Sequence, residues 1–129
     1  MDDRVAITDL INEHGHLVDR GDFAGLAAVF TTDVVCDVTD FGLGVLVGLD
    51  ASRESALELG DRNPVAHHVT NIVLREAGNG VVHARSKGFG VTADGRTGSV
   101  TYEDRVEHTP AGWRIAHRVI RLRRVPLRE

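Results

Sequence analysis

Within the first twenty residues, mostly hydrophobic side chains recur at spacings of three and four, which is the spacing of one face of an amphipathic helix. This stripe consists of Ile7, Leu10, Ile11, His14, Leu17 and Val18. Asp2 and Asp3 suit the first turn because negative charge is favourable at a helix N-terminus. Gly21 suits the C-terminal end. The pattern therefore predicts a first helix that ends near Arg20-Gly21.

Shorter elements follow this helix. Asp22 suits the N-cap of a second helix, and that helix would carry Leu26, Val29 and Phe30. The valine-rich segment 33–39 predicts a strand, and 44–47 predicts a shorter one.

A third helix is predicted over residues 51–59, before the pattern changes. Asp50 suits its N-cap, and Gly60 and Pro64 suit its end. Four long strand-type segments then cover 67–75, 80–91, 98–108 and 112–125. The turns between them each contain Gly or Pro and are short enough for hairpins. Helices followed by an antiparallel meander predict an α+β fold with helices on one face of a curved sheet.

The last predicted strand is apolar on both faces. One face carries Trp113, Ile115 and Val119, and the other carries Ala116, Ile120 and Leu122. Helices can cover only one of these faces. We therefore predict a homodimer through the other, convex face of the sheet.

Composition narrows the class of protein. The 129 residues are 42% hydrophobic with a formal charge of −4, which suits one domain over 1–129. A lone cysteine, Cys36, allows neither an internal disulfide nor a zinc site of cysteine pairs. The amino end has no export signal, and no apolar run approaches the roughly 20 residues of a membrane span. We expect a cytoplasmic protein with no membrane partner.

Charge and histidine spacing bear on other ligands. The mild negative charge argues against a nucleic-acid partner. His14 and His16 are the only two of the seven histidines within one predicted helix, and at a separation of two residues they do not converge. We predict no metal.

Four motifs, in this order and spacing, carry a resemblance that covers essentially the whole chain. They are Leu17-Val18-Asp19-Arg20-Gly21-Asp22-Phe23 with Leu26 and Phe30, then Gly48-Leu49-Asp50, then His67-His68-Val69-Thr70-Asn71, and finally Tyr102-Glu103-Asp104-Arg105 leading to Gly112-Trp113-Arg114-Ile115. The chain resembles the nuclear transport factor 2-like superfamily, in particular its SnoaL-like branch.

This resemblance implies a cone, in which a strongly bent antiparallel sheet wraps around three N-terminal helices and leaves a deep apolar pocket. Enzymes of the family include ketosteroid isomerases, scytalone and bile-acid dehydratases and polyketide cyclases. Other members are binding or dimerisation modules, so the fold does not settle the function.

The resemblance also implies a catalytic histidine. In dehydratase-like relatives it stands four residues before the asparagine, which here makes it His67, with Asn71. His67 and His68 face opposite sides of a strand, and the alternative for either is a surface position. Asp19 either orients this histidine, as in the dehydratases, or bonds the backbone of the turn at Gly21.

His14 and two further carboxylates complete the candidate catalytic set. His14 is either a core histidine or a donor to a carbonyl oxygen, at a position where relatives often have tyrosine. Asp37 and Asp104 have apolar neighbours on their strands, which should raise the pKa of each carboxyl. The resemblance implies a base near Asp37 and a proton-donating acid at Asp104. The alternative for Asp104 is an ion pair with an arginine such as Arg85 or Arg118.

The resulting hypothesis is a cofactor-free lyase or isomerase for a small apolar carbonyl compound, polyketide or steroid-like. His67, oriented by Asp19 or Asp37, would take a proton beside the carbonyl, and His14 or protonated Asp104 would stabilise the enolate. Substrate contacts are assigned to Asn71, Tyr102, Arg118 and Phe30. The alternative is a non-catalytic module of the same fold. An epoxide hydrolase is disfavoured because no Asp–Arg–Asp set is recognised.

Overall fold

The computed structural model describes residues 2–128. Its helices are α1 (Asp2–Asp19) and α2 (Leu49–Leu59), with 3-10 segments at Ala24–Ala28, Thr39–Phe41 and Gly60–Arg62. Its strands are β1 (Phe30–Asp37), β2 (Val45–Val47), β3 (Ala66–Gly78), β4 (Val81–Val91), β5 (Thr97–Thr109) and β6 (Gly112–Leu122). The predicted α+β class is confirmed. No helix within the described residues is long and apolar enough to span a membrane.

The six strands form one curved, open sheet in the order β2-β1-β6-β5-β4-β3. The predicted hairpins from β3 to β6 are present, and each of these neighbours is antiparallel. β1 and β6, however, run parallel, with Phe30 opposite Ile115. The chain leaves β1 for β2, α2 and three further strands before β6 returns beside it. Such a crossover permits a parallel pair within a meander that is otherwise antiparallel.

The early short elements differ from their predicted bounds. The second helix is a single 3-10 segment, and Phe30 begins β1 instead of ending that helix. Asp22 does hold the start of the segment, because its Oδ1 accepts the Gly25 N–H at 2.9 Å. α2 begins at Leu49 after Gly48, whose φ is 89°, so Asp50 lies in the first turn and not at the cap. Within residues 2–128, two α-helices and a 3-10 turn therefore stand where three helices were predicted.

α1 lies across the concave side of the sheet, against β3 and β6. Its predicted stripe is confirmed, since Ile7, Ile11 and Leu17 are buried in the main core. Val106 and Ile115 supply the sheet side of that core and are fully buried. The C-terminal half of α1, with His14 and Val18, borders the largely apolar cavity described below.

A bulge in β6 explains the apolar pattern on both of its faces. Arg105 pairs with His117 but Val106 pairs with Ile115, so Ala116 is an extra residue in β6. A bulge changes which alternate residues point to a given face. Ile115 before it and Ile120 after it consequently both lie on the concave side. The predicted homodimer loses the support of a two-faced strand and stays a prediction.

Candidate active site

A cavity of about 390 Å³ lies between the concave sheet face, the C-terminal half of α1 and α2. Most of its wall is apolar. The ionisable or hydrogen-bonding side chains near α1 are His14, His67, Tyr102 and Arg118, and the apolar ones include Val18, Phe23, Leu26, Phe30, Val34, Leu46, Leu49, Leu59, Val100 and Ile120. Such a wall suits a ligand that is apolar except at one end.

His67 lines this cavity and forms a hydrogen-bonded pair with Asp19, which is not itself part of the lining. Asp19 Oδ1 lies 2.6 Å from His67 Nδ1, and Asp19 Oδ2 accepts the backbone N–H of His67 at 3.0 Å. One carboxylate thus fixes both the strand position and the ring of the histidine. With Asp19 accepting, Nδ1 carries the ring hydrogen and Nε2 keeps its lone pair. Of the two interpretations of Asp19, the structure supports the histidine partner over the turn.

Gly15 permits this pair to form. A Cβ at Gly15 would lie 2.9 Å from the backbone carbonyl oxygen of His67, which is closer than real Cβ atoms approach. The absence of a side chain lets α1 rest directly on β3. That close approach brings Asp19, one turn later, within reach of His67.

Replacing Gly15 with alanine should therefore destabilise the protein, against the usual trend. In a helix interior, alanine is normally better than glycine by about 1 kcal/mol. Here α1 and β3 must separate by several tenths of an ångström, and overpacking of this kind costs about 1–3 kcal/mol. Urea unfolding measures the difference. The control is Gly98→Ala, whose Cβ meets nothing within 4 Å; an equal response of both variants would contradict the contact.

Arg118 is a buried cation at the inner end of the cavity, with 1% of the residue exposed. Its Nε donates to Asp104 Oδ1 at 2.7 Å and its Nη2 to Asp104 Oδ2 at 2.9 Å. Burial alone would lower the pKa of the guanidinium, but the Asp104 carboxylate outweighs it and raises that pKa above its ordinary value. Nη1 is left on the cavity side, 3.4 Å from His14 Nδ1.

His14 lies between Arg118 and the Asp19–His67 pair. Its ring centroid is 6.3 Å from that of His67, and it meets the Phe30 ring edge-on at 5.5 Å. Desolvation, followed by the charge of Arg118, holds the pKa of His14 well below its usual value. His14 is therefore neutral near pH 7. If Arg118 donates to Nδ1, the ring hydrogen is on Nε2 and is available to a ligand.

The low pKa of His14 makes stability depend on pH. The unfolded chain binds this proton near pH 6.5 and the folded chain does not, so the native state loses stability as pH falls below about 6.5. The loss attributable to His14 can reach about 1.4 kcal/mol per pH unit. The measurement is the difference in unfolding free energy between wild type and His14→Gln across pH 7 to 5. A constant difference over this range would contradict the prediction.

Two aromatic rings flank Arg118. Its guanidinium carbon lies 4.5 Å from the Tyr102 ring centroid and 5.4 Å from that of Phe30. Both rings line the cavity, and their role as substrate contacts stays a prediction. Burial raises the pKa of the Tyr102 phenol, so the hydroxyl keeps its hydrogen.

Three predicted site residues do not serve as expected. Asp37 is on the outer face of β1, and its carboxylate accepts the Thr39 N–H at 3.0 Å; hydrogen bonds from Thr39 lower its pKa, where a rise was predicted. Asn71 is exposed at a bulge in β3 with φ 57°, because the bulge turns it away from the cavity. Asp104 has both oxygens on Arg118, so the ion-pair alternative is correct and the free acid is not.

Sequence reasoning missed the two glycines that position this site. Gly15 interrupts a helix and Gly88 interrupts a strand, and each is a signal of close approach by another group. It also missed Cys36, which lines the cavity. The placement of His68 on the outer face is confirmed, since its ring stacks on exposed Phe89 at 4.8 Å.

The arrangement combines a base, donors and an apolar enclosure. His67 Nε2 can accept a proton, while Arg118 Nη1 and His14 Nε2 can donate to an oxygen. Within residues 2–128 no three His, Cys, Asp or Glu side chains are grouped as metal ligands. The geometry is that of acid–base chemistry at an oxygen-bearing, mostly apolar molecule.

Comparisons with known proteins agree with this architecture. A family model described as a SnoaL-like domain matches residues 1–119. A candidate aromatic ring hydroxylase from Novosphingobium aromaticivorans is 29% identical with a TM-score of 0.75, covering 96% of this chain and 91% of that one. A protein of unknown function from Mycobacterium tuberculosis is 28% identical with a TM-score of 0.80, covering 96% and 73%.

The fold is also similar to that of a candidate enzyme. A candidate scytalone dehydratase from Novosphingobium aromaticivorans has a TM-score of 0.74 at 21% identity, covering 95% of this chain and 85% of that one. No curated protein matches the sequence.

Proposed function

The chain belongs to the SnoaL-like domain family, and from this premise we propose that it is a cofactor-free lyase or isomerase. Its substrate is a small apolar molecule with a carbonyl group, and its reaction begins with removal of a proton beside that carbonyl. The observation that carries the proposal is that His67, in the wall of an apolar cavity, is hydrogen-bonded to the Asp19 carboxylate.

His67 is the base in this mechanism. Asp19 holds the ring hydrogen on Nδ1 and orients Nε2 for proton removal, and it stabilises the imidazolium that forms. The side chains of His67 and Asp19 are only 19% and 25% exposed, so their interaction is partly shielded from water. A positioned base of this kind contributes about 10²- to 10⁴-fold to the rate.

The negative charge that develops on the carbonyl oxygen is stabilised by Arg118 and His14. Arg118 brings a full positive charge whose orientation Asp104 fixes. His14 is neutral and adds a hydrogen-bond donor without competing for the proton on His67. Preplaced donors in an enclosed site are worth about 10²- to 10³-fold each, and they replace the protonated Asp104 of the initial hypothesis.

The size and walls of the cavity favour a ring compound. A volume of about 390 Å³ accommodates a molecule of one to a few fused rings. Phe23, Phe30 and several leucines form its sides. A polyketide or steroid-like ketone matches both features.

The test is hydrogen exchange in heavy water, followed by NMR, with benzylacetone and 2-tetralone as probes. Wild type should exchange the hydrogens beside the carbonyl, and His67→Gln should lower that rate by at least about 100-fold. His68→Gln is the matched control: the neighbouring histidine lies on the outer face, so its loss should leave exchange unchanged.

Binding without exchange in wild type would favour the non-catalytic module instead. Equal loss in the two histidine variants would also contradict the proposal, because a role outside the cavity would then account for it.

A further inference from the structure

The Tyr102 hydroxyl is a second proton-carrying group in the cavity, and the chemistry above leaves it unused. Tyr102 is 4% exposed and lines the cavity. Within residues 2–128 its hydroxyl has no hydrogen-bond partner. Ser86 Oγ on β4 also has no partner, but that atom is enclosed by protein, whereas the Tyr102 oxygen is not among the enclosed atoms. The phenol oxygen is therefore open to a ligand.

The ring of Tyr102 reaches from β5 across β4 to the start of β3. A Cβ at Gly88 would overlap Tyr102 Cε2 and would lie 3.1 Å from Cζ. The same position would lie 3.1 Å from the backbone oxygen of His68. The phenol end of the ring is thus close to the backbone that carries His67. Gly88 has no side chain, and this leaves room for the ring.

Arg118 lies over the face of the same ring, with its guanidinium carbon 4.5 Å from the ring centroid. A cation over an aromatic face stabilises negative charge that develops on the ring. The phenol keeps its hydrogen at rest, yet it has a positive charge nearby at the moment when it gives that hydrogen away. This combination suits a general acid.

A separate acid distinguishes elimination from isomerisation. An isomerase can move one proton with one base and a set of donors. Loss of water requires in addition that the departing hydroxyl receive a proton, because hydroxide is a poor leaving group. We infer that Tyr102 is this acid and that the substrate is a β-hydroxy ketone, which makes the protein a dehydratase. The inference rests on the proposed function, since it needs His67 as the base.

Every proton and electron pair in this elimination has a source and a destination. His67 Nε2 takes the hydrogen beside the carbonyl as a proton, and the electron pair that remains forms the enolate. The enolate re-forms the carbonyl as the C–O bond at the β carbon breaks, and that bond pair leaves with the oxygen. Tyr102 gives its proton to this oxygen, which departs as water. The proton on His67 then restores the phenol, and the product is the conjugated enone.

The experiment compares leaving groups in Tyr102→Phe. The probes are the aldol of acetone and benzaldehyde, which must lose water, and its acetate ester, which loses acetate without prior protonation. Both give benzalacetone. The variant should lose water at least about 100-fold more slowly than wild type, and acetate only a few-fold more slowly. A merely structural role would slow both reactions alike.

The other possible results distinguish the role of Tyr102 from the proposed function. Equal slowing of both eliminations, or no slowing of either, would overturn the role of Tyr102. A wild type that exchanges the hydrogens of benzylacetone but never eliminates water would also overturn the role of Tyr102. None of these results would contradict the proposed function. If wild type does not exchange benzylacetone, the proposed function itself fails. His68→Gln should behave as wild type with both leaving groups.

Discussion

Replacing Asp19 with asparagine should lower the rate of exchange and of any elimination by about 10³- to 10⁴-fold while leaving the fold intact. The asparagine oxygen can still accept the backbone N–H of His67, as Asp19 Oδ2 does at 3.0 Å. Its amide NH₂ would face Nδ1, however, and would favour the ring tautomer with hydrogen on Nε2. That tautomer cannot take a proton from substrate. The corresponding change in a serine protease triad costs about 10⁴-fold.

The matched control for this variant is Asp22→Asn, in the turn that follows α1. Asp22 Oδ1 accepts the Gly25 N–H at 2.9 Å, and an asparagine oxygen can do the same. It should therefore keep nearly full activity. Unfolding by urea should show both variants close to wild type in stability. An active Asp19→Asn would remove the pair from the mechanism.

Replacing Asp104 with leucine should destabilise the protein by about 3–5 kcal/mol, because it leaves the Arg118 cation buried without its partner. Asp104 and Arg118 are 3% and 1% exposed, so water cannot replace the lost carboxylate. Urea unfolding measures the effect. The neighbouring surface pair Glu103–Arg121, 3.5 Å apart and about half exposed, provides the control: Glu103→Gln should cost less than about 1 kcal/mol.

The double variant Asp104→Leu with Arg118→Met separates stability from chemistry. Apolar replacements of both partners often restore what a single replacement loses, so this variant should be much more stable than Asp104→Leu alone. It should nevertheless be inactive, because the cation beside the carbonyl oxygen is gone. Equal instability of the single and double variants would contradict the account of a buried pair.

Much of the fold was predictable because it follows from local patterns of hydrophobic and polar residues. The stripe of α1 and the four long strands have strong periods that depend on which face is buried. The weaker segments failed where tertiary contacts took over. Phe30 followed a helix-like spacing but pairs with Ile115 in the sheet. The parallel β1–β6 pair joins segments far apart in sequence, and no local pattern encodes it.

The residues of the candidate site also divide into those that local motifs predicted and those that they misplaced. His67 and Asp19 came from motifs of the resemblance, and their contact at 2.6 Å agrees with the dehydratase interpretation. Asp37 alternates regularly with Val34 and Cys36, which line the cavity, so it lies on the opposite face of β1; the strand pattern did not say which face would be enclosed. Asn71 was misplaced because a bulge in β3 breaks the alternation there.

The sequence by itself determined the class of fold, the amphipathic first helix and the two residues, Asp19 and His67, that are hydrogen-bonded in the structure, since periodicity and short motifs are local properties. Only the tertiary structure decided that Arg118 neutralises Asp104, that His14 is held neutral beside it and that Tyr102 opens into the cavity. These facts depend on which side chains meet from different strands. The glycines at positions 15 and 88 set how closely those elements approach.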